Sequence, residues 1–372
     1  MFSTNVMNNW SEPLPEILIL IARKINSVQD FLSYGLVCKS WHLAAASAKF
    51  NKSKLPWLML ADNNNYTENT REFFDLSNYG IIQKLNLPEV KGRKCFSSHG
   101  WLITISDDLD ITLLHPLSRR EISLPNLDTL GLPDMLHIDF NASSCYFYKA
   151  ILSSSPSRSS NYVVMLIHGT LLGQAQLAFC RAGDKYWTPI DKWFEHYSDV
   201  THFENQFSAV DCEGNVVVFD VNGRHIVDFS VPEIFVENYV NRLYVVELTG
   251  KLMMVCRVIE GQRENYGTRK FEVFEIDLAT GFRNRIKDLG NNSIFLGFNS
   301  SISVDCAIVN GCRPSCIYFT DDGEEPYHGP PPEAPLGRGK DMGIYDMMEG
   351  TVEPLPYFEG ESYSRITPPM WV

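Results

Sequence analysis

The chain has 372 residues, of which 44% are hydrophobic and 21% charged. That is enough apolar material for a sizeable core and too little charge for wholesale disorder. A formal charge of −13 argues against a protein that reads a nucleic-acid backbone with Lys and Arg, and it disfavours anionic membranes, so neither is an expected partner. The length exceeds what one core organises, which predicts a small head plus one large domain. The start MFSTNVMNNW lacks a basic n-region, and the apolar run Ile17 to Ala22 is too short to span a bilayer; an intracellular location, cytoplasmic or nuclear or both, is expected.

The head covers residues 10–50. Ile17, Leu18, Ile21 and Ile25 follow helical spacing behind Pro15, a residue suited to a first helical turn. A second helix follows the S-x-x-D spacing of Ser27 and Asp30, with Val28, Phe31, Leu32 and Leu36 at three- and four-residue steps. A third runs through Trp41, Ala44, Ala45 and Ala48, with Ser40 as its candidate cap. Three such helices cannot hide all of Leu14, Pro15, Leu18, Ile21, Val37, Cys38 and Trp41. Some of them should face another protein.

These residues resemble a known pattern. Leu14-Pro15-Glu16-Ile17-Leu18, then Asp30-Phe31-Leu32, then Val37-Cys38-Lys39-Ser40-Trp41 look like an F-box, the segment by which substrate receptors dock onto the Skp-type adaptor of cullin–RING ubiquitin ligases. The resemblance implies an adaptor-binding set of Leu14, Pro15, Ile17, Leu18, Ile21, Val37, Cys38 and Trp41.

From Leu55 to Val372 the period changes. Short runs rich in β-branched and aromatic residues alternate with Gly, Asp, Asn, Ser and Pro, which reads as strands and turns. Hairpin signals recur at Ala209–Gly214 into Val216–Val218, at Val246–Gly250 into Leu252–Val255, and at Ile276–Gly281. Many short hairpins suit a propeller of about six or seven blades, with paired β-sandwiches as the alternative. The expected class is therefore an α+β multi-domain chain: a three-helix head over 10–50 and an all-β propeller over 55–372. Residues 56–61 and 366–372 are the candidate strands that close the ring.

Nine scattered cysteines read as reduced thiols. Cys306, Cys312 and Cys316 lack the paired knuckles of a zinc site, so neither metal nor cofactor is expected.

A second resemblance covers nearly everything after the head. Ser98-His99-Gly100-Trp101-Leu102, His115-Pro116-Leu117 leading to Ile122-Ser123-Leu124-Pro125, Ala178-Phe179-Cys180-Arg181, Gln206-Phe207-Ser208-Ala209-Val210-Asp211, Phe295-Leu296-Gly297 and Ile317-Tyr318-Phe319-Thr320-Asp321-Asp322 are similar to motifs of the plant KIB-type β-propeller family. His115-Pro116 stands where Asn-Pro is common. Members of that family usually carry an N-terminal F-box.

No nucleophile elbow, H-E-x-x-H pair or P-loop is present. The acidic pairs Asp107-Asp108, Asp321-Asp322 and Glu324-Glu325 read as turn residues rather than as catalytic dyads. Trp193, Phe194 and Tyr197 are the candidate substrate-binding aromatics, against a core reading of the same residues. Segments 152–161 and 324–340 read as loops poor in apolar anchors. The expected function is a non-catalytic substrate receptor that binds the adaptor, and through it cullin and RING subunits, and holds an unknown protein for ubiquitin transfer. A propeller hydrolase or lyase and a non-degradative scaffold are the alternatives.

Overall fold

The computed structural model describes residues 13–25, 28–48, 55–61, 69–78, 80–130, 147–169, 174–190, 194, 196–229, 240–262, 265–299, 301–322, 341–356, 358 and 367–372. Two compact units emerge, Met1–Lys54 and Leu55–Val372.

The first unit holds helices α1 (Pro15–Lys24), α2 (Val28–Leu36) and α3 (Lys39–Ala48). Pro15 opens α1 as expected, with Leu14 in the cap position. Ser40 does not cap α3. The helix starts one residue before it, and the Cys38 carbonyl accepts the first-turn bond from His42 N at 2.9 Å. Ser27, the expected cap of α2, lies outside the described residues.

The second unit contains six sheets. In chain order they are β1 (Leu58–Met59), β2 (Thr70–Asp75) and β3 (Ile81–Asn86); β4 (Lys94–Ser98), β5 (Trp101–Ile105), β6 (Ile111–Leu114) and β7 (Glu121–Ser123); β8 (Phe147–Leu152), β9 (Val163–Gly169), β10 (Ala175–Arg181) and β11 (Thr188–Pro189). The next are β12 (Tyr197–Phe203), β13 (Gln206–Asp211), β14 (Val216–Asp220) and β15 (His225–Phe229); and β16 (Val240–Leu248), β17 (Lys251–Gln262), β18 (Asn265–Ile276) and β19 (Arg283–Ile286). The sixth has β20 (Asn292–Leu296), β21 (Ser301–Asp305), β22 (Cys316–Phe319), β23 (Gly343–Asp346) and β24 (Thr351–Glu353), and β25 (Met370–Trp371) returns to the first sheet. This is a six-bladed propeller. The paired-sandwich alternative does not hold, because each blade packs on two neighbours and not on one facing sheet.

The hairpins predicted at β13–β14, β16–β17 and β18–β19 all form. Inner hairpins use two-residue turns with both residues left-handed: His99 and Gly100 (φ 53° and 75°), and Thr249 and Gly250 (φ 50° and 78°). Such turns match the twist of the strands they join. Strands such as β5 and β9 are buried at every position, because neighbouring blades cover both of their faces. Each interface between blades has its own apolar cluster. Phe96, Trp101 and Leu113 meet Phe147 and Leu166 between the second and third blades, and Leu58 and Phe74 meet Phe295 and Tyr318 between the first and sixth.

The ring closes through the chain ends, as the sequence anticipated. Leu58 and Met59 pair with Trp371 and Met370, and Trp57 and Val372 exchange backbone bonds of 3.1 and 2.8 Å. Thr367 Oγ1 donates to Arg93 O at 3.1 Å and accepts from Cys95 N at 3.3 Å, while Ser97 Oγ donates to Trp371 O.

Three features depart from expectation. The sixth blade has five strands ordered β21-β20-β22-β23-β24, with β20 and β22 parallel. The β20–β21 hairpin turns inward, so the chain must cross back to reach β22. Within that crossing Cys306 and Cys312, expected as thiols, form a disulfide, since the segment doubles back to a Cα separation of 5.1 Å. Cys95, Cys180, Cys256 and Cys316 are buried thiols outside any disulfide, and burial pushes Cys180 and Cys256 up to about 12. Finally, Asp107 and Asp108 are exposed turn residues as predicted, but Asp321 and Asp322 are fully enclosed. Glu324 and Glu325 lie outside the described residues.

Candidate functional site

The interior of the helical unit is built mostly from small side chains. Leu18, Ala22, Tyr34, Ala44, Ala45 and Ala48 form its core, with Ile21, Phe31 and Trp41 half-buried around it. Alanines on α3 permit close helix approach: a Cβ at Gly35 of α2 would sit 3.5 Å from that of Ala45. The Tyr34 hydroxyl donates to Leu18 O at 2.8 Å, and its ring lies 4.4 Å from that of Trp41. Burial, and then the nearby Cys38 thiol, raise the Tyr34 pKa.

Such a core leaves large apolar groups outside. Leu14 is 65% exposed, Ile17 45%, Leu36 84% and Val37 60%, and Leu20 and Leu43 are exposed as well. Pro15 and Cys38 are also at the surface. Leu18 does not belong with them. It is fully buried, because the i, i+4 stripe it forms with Ala22 is the face α1 turns toward α3, so its surface is already spent on the bundle. Ile21 and Trp41 divide their surface between core and solvent. Leu14, Pro15 and Ile17 fall at the start of α1, and Leu36, Val37 and Cys38 at the turn from α2 to α3, two places where the backbone is anchored: Ile17 N and Leu18 N both donate to Leu14 O at 3.0 and 3.2 Å, and Val37 N to Tyr34 O at 3.3 Å. In that turn Cys38 Sγ lies 3.2 Å from Ser40 Oγ; this contact first, and the Trp41 N–H second, lower the thiol pKa. The surface can remove apolar area from water against a partner.

Candidate aromatics of the propeller are placed differently. Tyr197 is buried and Phe194 half-buried against the cluster between the third and fourth blades, with ring centroids 5.8 Å apart. Trp193 lies outside the described residues.

Two buried polar clusters were not legible as such in the sequence. Near the axis, Lys149 pairs with Asp199, whose carboxylate also accepts from Val200 N (2.8 Å), Val245 N (2.8 Å) and Ser301 Oγ (2.9 Å). Asn299 accepts from Ala150 N at 3.0 Å and donates to Ser97 O at 2.6 Å. These side chains bridge inner strands of neighbouring blades, whose edges cannot form a backbone ladder with one another. Between the fifth and sixth blades, Arg257 donates to Asp322 Oδ1 (2.7 Å), Thr320 O (2.8 Å), Asp341 Oδ2 (2.8 Å) and Thr268 Oγ1 (2.7 Å). The Tyr244 hydroxyl donates to Asp322, and that of Tyr266 to Asp321. Burial alone would lower the Arg257 pKa, but Asp322, Tyr244 and Asp341 carry it above the ordinary value. Lys149 and Asp199 balance one another, whereas Asp321, Asp322 and Asp341 gather around Arg257, with Arg242 3.8 Å from Asp322.

The motif residues of the second, third, fourth and sixth blades, 98–102, 178–181, 206–211 and 295–297 among them, are strand and turn positions of this scaffold. The KIB1-4 beta-propeller family description matches residues 73–346. The chain belongs to this family. Its KIB1-4 propeller is joined to a head for which whole-chain relatives give context. The chain is 26% identical to the F-box protein SKIP23 of Arabidopsis thaliana over 98% of its own length and 96% of that protein's. It is 21% identical to the F-box protein KIB4 of the same plant over 82% and 80%. Both of these relatives are named as F-box proteins and both come from a plant. Within the KIB1-4 propeller, Phe295-Leu296-Gly297 has a packing reason: a Cβ at Gly297 would overlap Thr320 Oγ1, in the segment that carries Asp321 and Asp322. No helix among the described residues is long and apolar enough to cross a membrane.

Proposed function

We propose that this chain is the substrate-recognition subunit of an SCF-type ubiquitin ligase, docking on a Skp-type adaptor through its helices and holding a target protein on its KIB1-4 propeller. The observation that carries this reading is the exposed apolar surface of Leu14, Ile17 and Val37 on a unit whose core is largely alanine. Relatives named as F-box proteins support it along the whole chain. Lys149 pairs with Asp199 and Arg257 with Asp322 and Asp341, contacts that fix strands and loops to one another, which supports a scaffold for binding.

Burying a large apolar side chain stabilises a complex by roughly 1.5–3 kcal/mol, with association and ordering taking much of the sum back. A Leu14→Asp, Ile17→Asp, Val37→Asp variant should therefore lose co-purification with a co-expressed Skp-type adaptor while the melting of the propeller is unchanged. Leu18→Ala should instead loosen the helices themselves, since that side chain is enclosed. Adaptor capture undiminished in the triple variant would overturn the assignment.

A further inference from the structure

The crossing segment of the sixth blade places a pair of cysteines at the seam where the ring closes. Between β21 and β22 the chain runs through residues 306–315, and both ends of that run are held without help from the sulfurs. Cys306 N donates to Asn291 O at 2.8 Å, and Ile308 N to Asp305 O at 3.1 Å. At the other end Arg313 N donates to the Tyr318 hydroxyl at 3.0 Å, and the Arg313 guanidinium pairs with Asp346 and Glu353. Cys306 and Cys312, six positions apart, are thereby held within bonding reach at a Cα separation of 5.1 Å.

The loop they enclose packs onto the first blade. Val309 is buried in the cluster that Leu55, Leu58, Leu76 and Trp371 share with Phe295 and Tyr318 of the sixth blade. Gly311, at φ 87°, brings its backbone against the same blade: a Cβ there would lie 3.3 Å from Ser77 Cα and 3.6 Å from Leu55 Cδ1. The bridged cysteines are half-buried and have exposed neighbours, Ile308 at 67% among them. Cys95, Cys180, Cys256 and Cys316, by contrast, are enclosed, and burial raises the Cys316 pKa as it does those of Cys180 and Cys256. The surroundings also accept the reduced form of the pair. Cys306 Sγ lies 3.4 Å from Ser293 Oγ and 4.0 Å from Val304 O, and Cys312 Sγ 4.0 Å from Arg313 O, so each thiol has an oxygen to donate to.

We propose that Cys306 and Cys312 form a reversible redox clip that sets how firmly the first and sixth blades are joined. Glutathione, a small thiol, opens it. One glutathione thiolate attacks a sulfur of the bridge, the S–S bond breaks, and the other sulfur leaves as a thiolate that takes up a proton. A second glutathione thiolate attacks the mixed disulfide and releases the remaining cysteine, which is protonated in turn. The bridge gains two electrons while two glutathiones become one glutathione disulfide, and the reverse sequence closes the clip. Closed, the bridge holds Val309 in the seam; open, the anchored ends keep the thiols close enough to rejoin. The clip belongs to the propeller and stands whether or not the receptor reading holds.

The test uses the full chain, equilibrated at graded ratios of glutathione to glutathione disulfide, alkylated while folded, and mapped by mass spectrometry. Label at Cys306 and Cys312 should appear together as the ratio rises, while the four enclosed cysteines stay unlabelled. Reduction should lower the melting temperature by about 3–5 °C, because opening even a short ring frees the unfolded chain. It should also speed amide exchange in 306–312 and in the 3-10 turn Leu76–Asn78 by at least about tenfold, with β9 unchanged. Cys306→Ser with Cys312→Ser should melt like the reduced parent under both conditions. Thiols that label at every ratio, a bridge that opens only when the chain unfolds, melting and exchange indifferent to redox state, or a redox-dependent melt that persists in the double variant would each overturn the proposal.

Discussion

Trp371 is the residue on which closure of the propeller can be measured. Its side chain is fully buried, its ring stands edge-on to Phe295 with centroids 5.0 Å apart, and its Nε1 donates to Leu296 O at 3.1 Å. Leu296 O also accepts from Thr320 N at 2.9 Å, so Trp371→Ala leaves that carbonyl satisfied and the cost is dominated by lost burial and the remaining cavity. Substitutions of this type cost about 3–5 kcal/mol. For a domain of this size about 1 kcal/mol lowers the melting temperature by roughly 2 °C, which predicts a fall of about 6–10 °C. Deleting residues 367–372 removes in addition the β1–β25 pairing and the Thr367 and Ser97 bonds. That sum is comparable to the whole stability of a domain, about 5–15 kcal/mol, so no cooperative melt should survive. The assay is scanning calorimetry, with the exposed Tyr186→Ala as a control expected to change little. A Trp371→Ala melt indistinguishable from that control would refute the view that the last strand closes the ring.

Two further predictions concern buried charge. Arg257→Met strands the Asp322 and Asp341 carboxylates in the interior and should cost about 3–5 kcal/mol in urea unfolding, whereas Arg257→Lys, whose single ammonium cannot reach all four acceptors, should fall between the two; equal midpoints for all three proteins would sink the argument. Burial first, and then His99, lower the His202 pKa to about 4 from an ordinary 6.5. The folded pKa is the lower one, so as pH falls below about 6.5 the unfolded chain takes up the proton first. Stability should therefore be lost between about pH 6.5 and 4, by up to roughly 3 kcal/mol from this group. His202→Phe, which keeps an aromatic ring against Phe207, should flatten that slope, and an unaltered acid profile would show that His202 does not carry it.

The polar clusters and the apolar clusters divide the work of holding the KIB1-4 propeller together. Apolar side chains join blade faces, where area alone matters. Carboxylates, amides and arginines join strand edges and loop ends, where backbone donors and acceptors need directed partners. The second task explains why Asp321 and Asp322 are enclosed in a segment whose composition reads as a turn: their oxygens face Tyr266, Tyr244 and Arg257 from the neighbouring blade.

Spacing along the chain by itself determined the three helices, the hairpins at β13–β14 and β16–β17, and the surplus of apolar residues in the head, because each of these depends on neighbours within a few positions. Tertiary structure decided the rest. Ile17 and Leu18 are neighbours on one helix with one chemistry, yet the packing of α3 encloses Leu18 and leaves Ile17 45% exposed. Cys306 and Cys312 are bridged because an inward hairpin makes the chain cross its own blade. Val309 becomes part of the closing seam only when that crossing meets the first blade. Enclosure, bridging and convergence depend on distances between residues remote in sequence, and local periodicity carries no information about those distances.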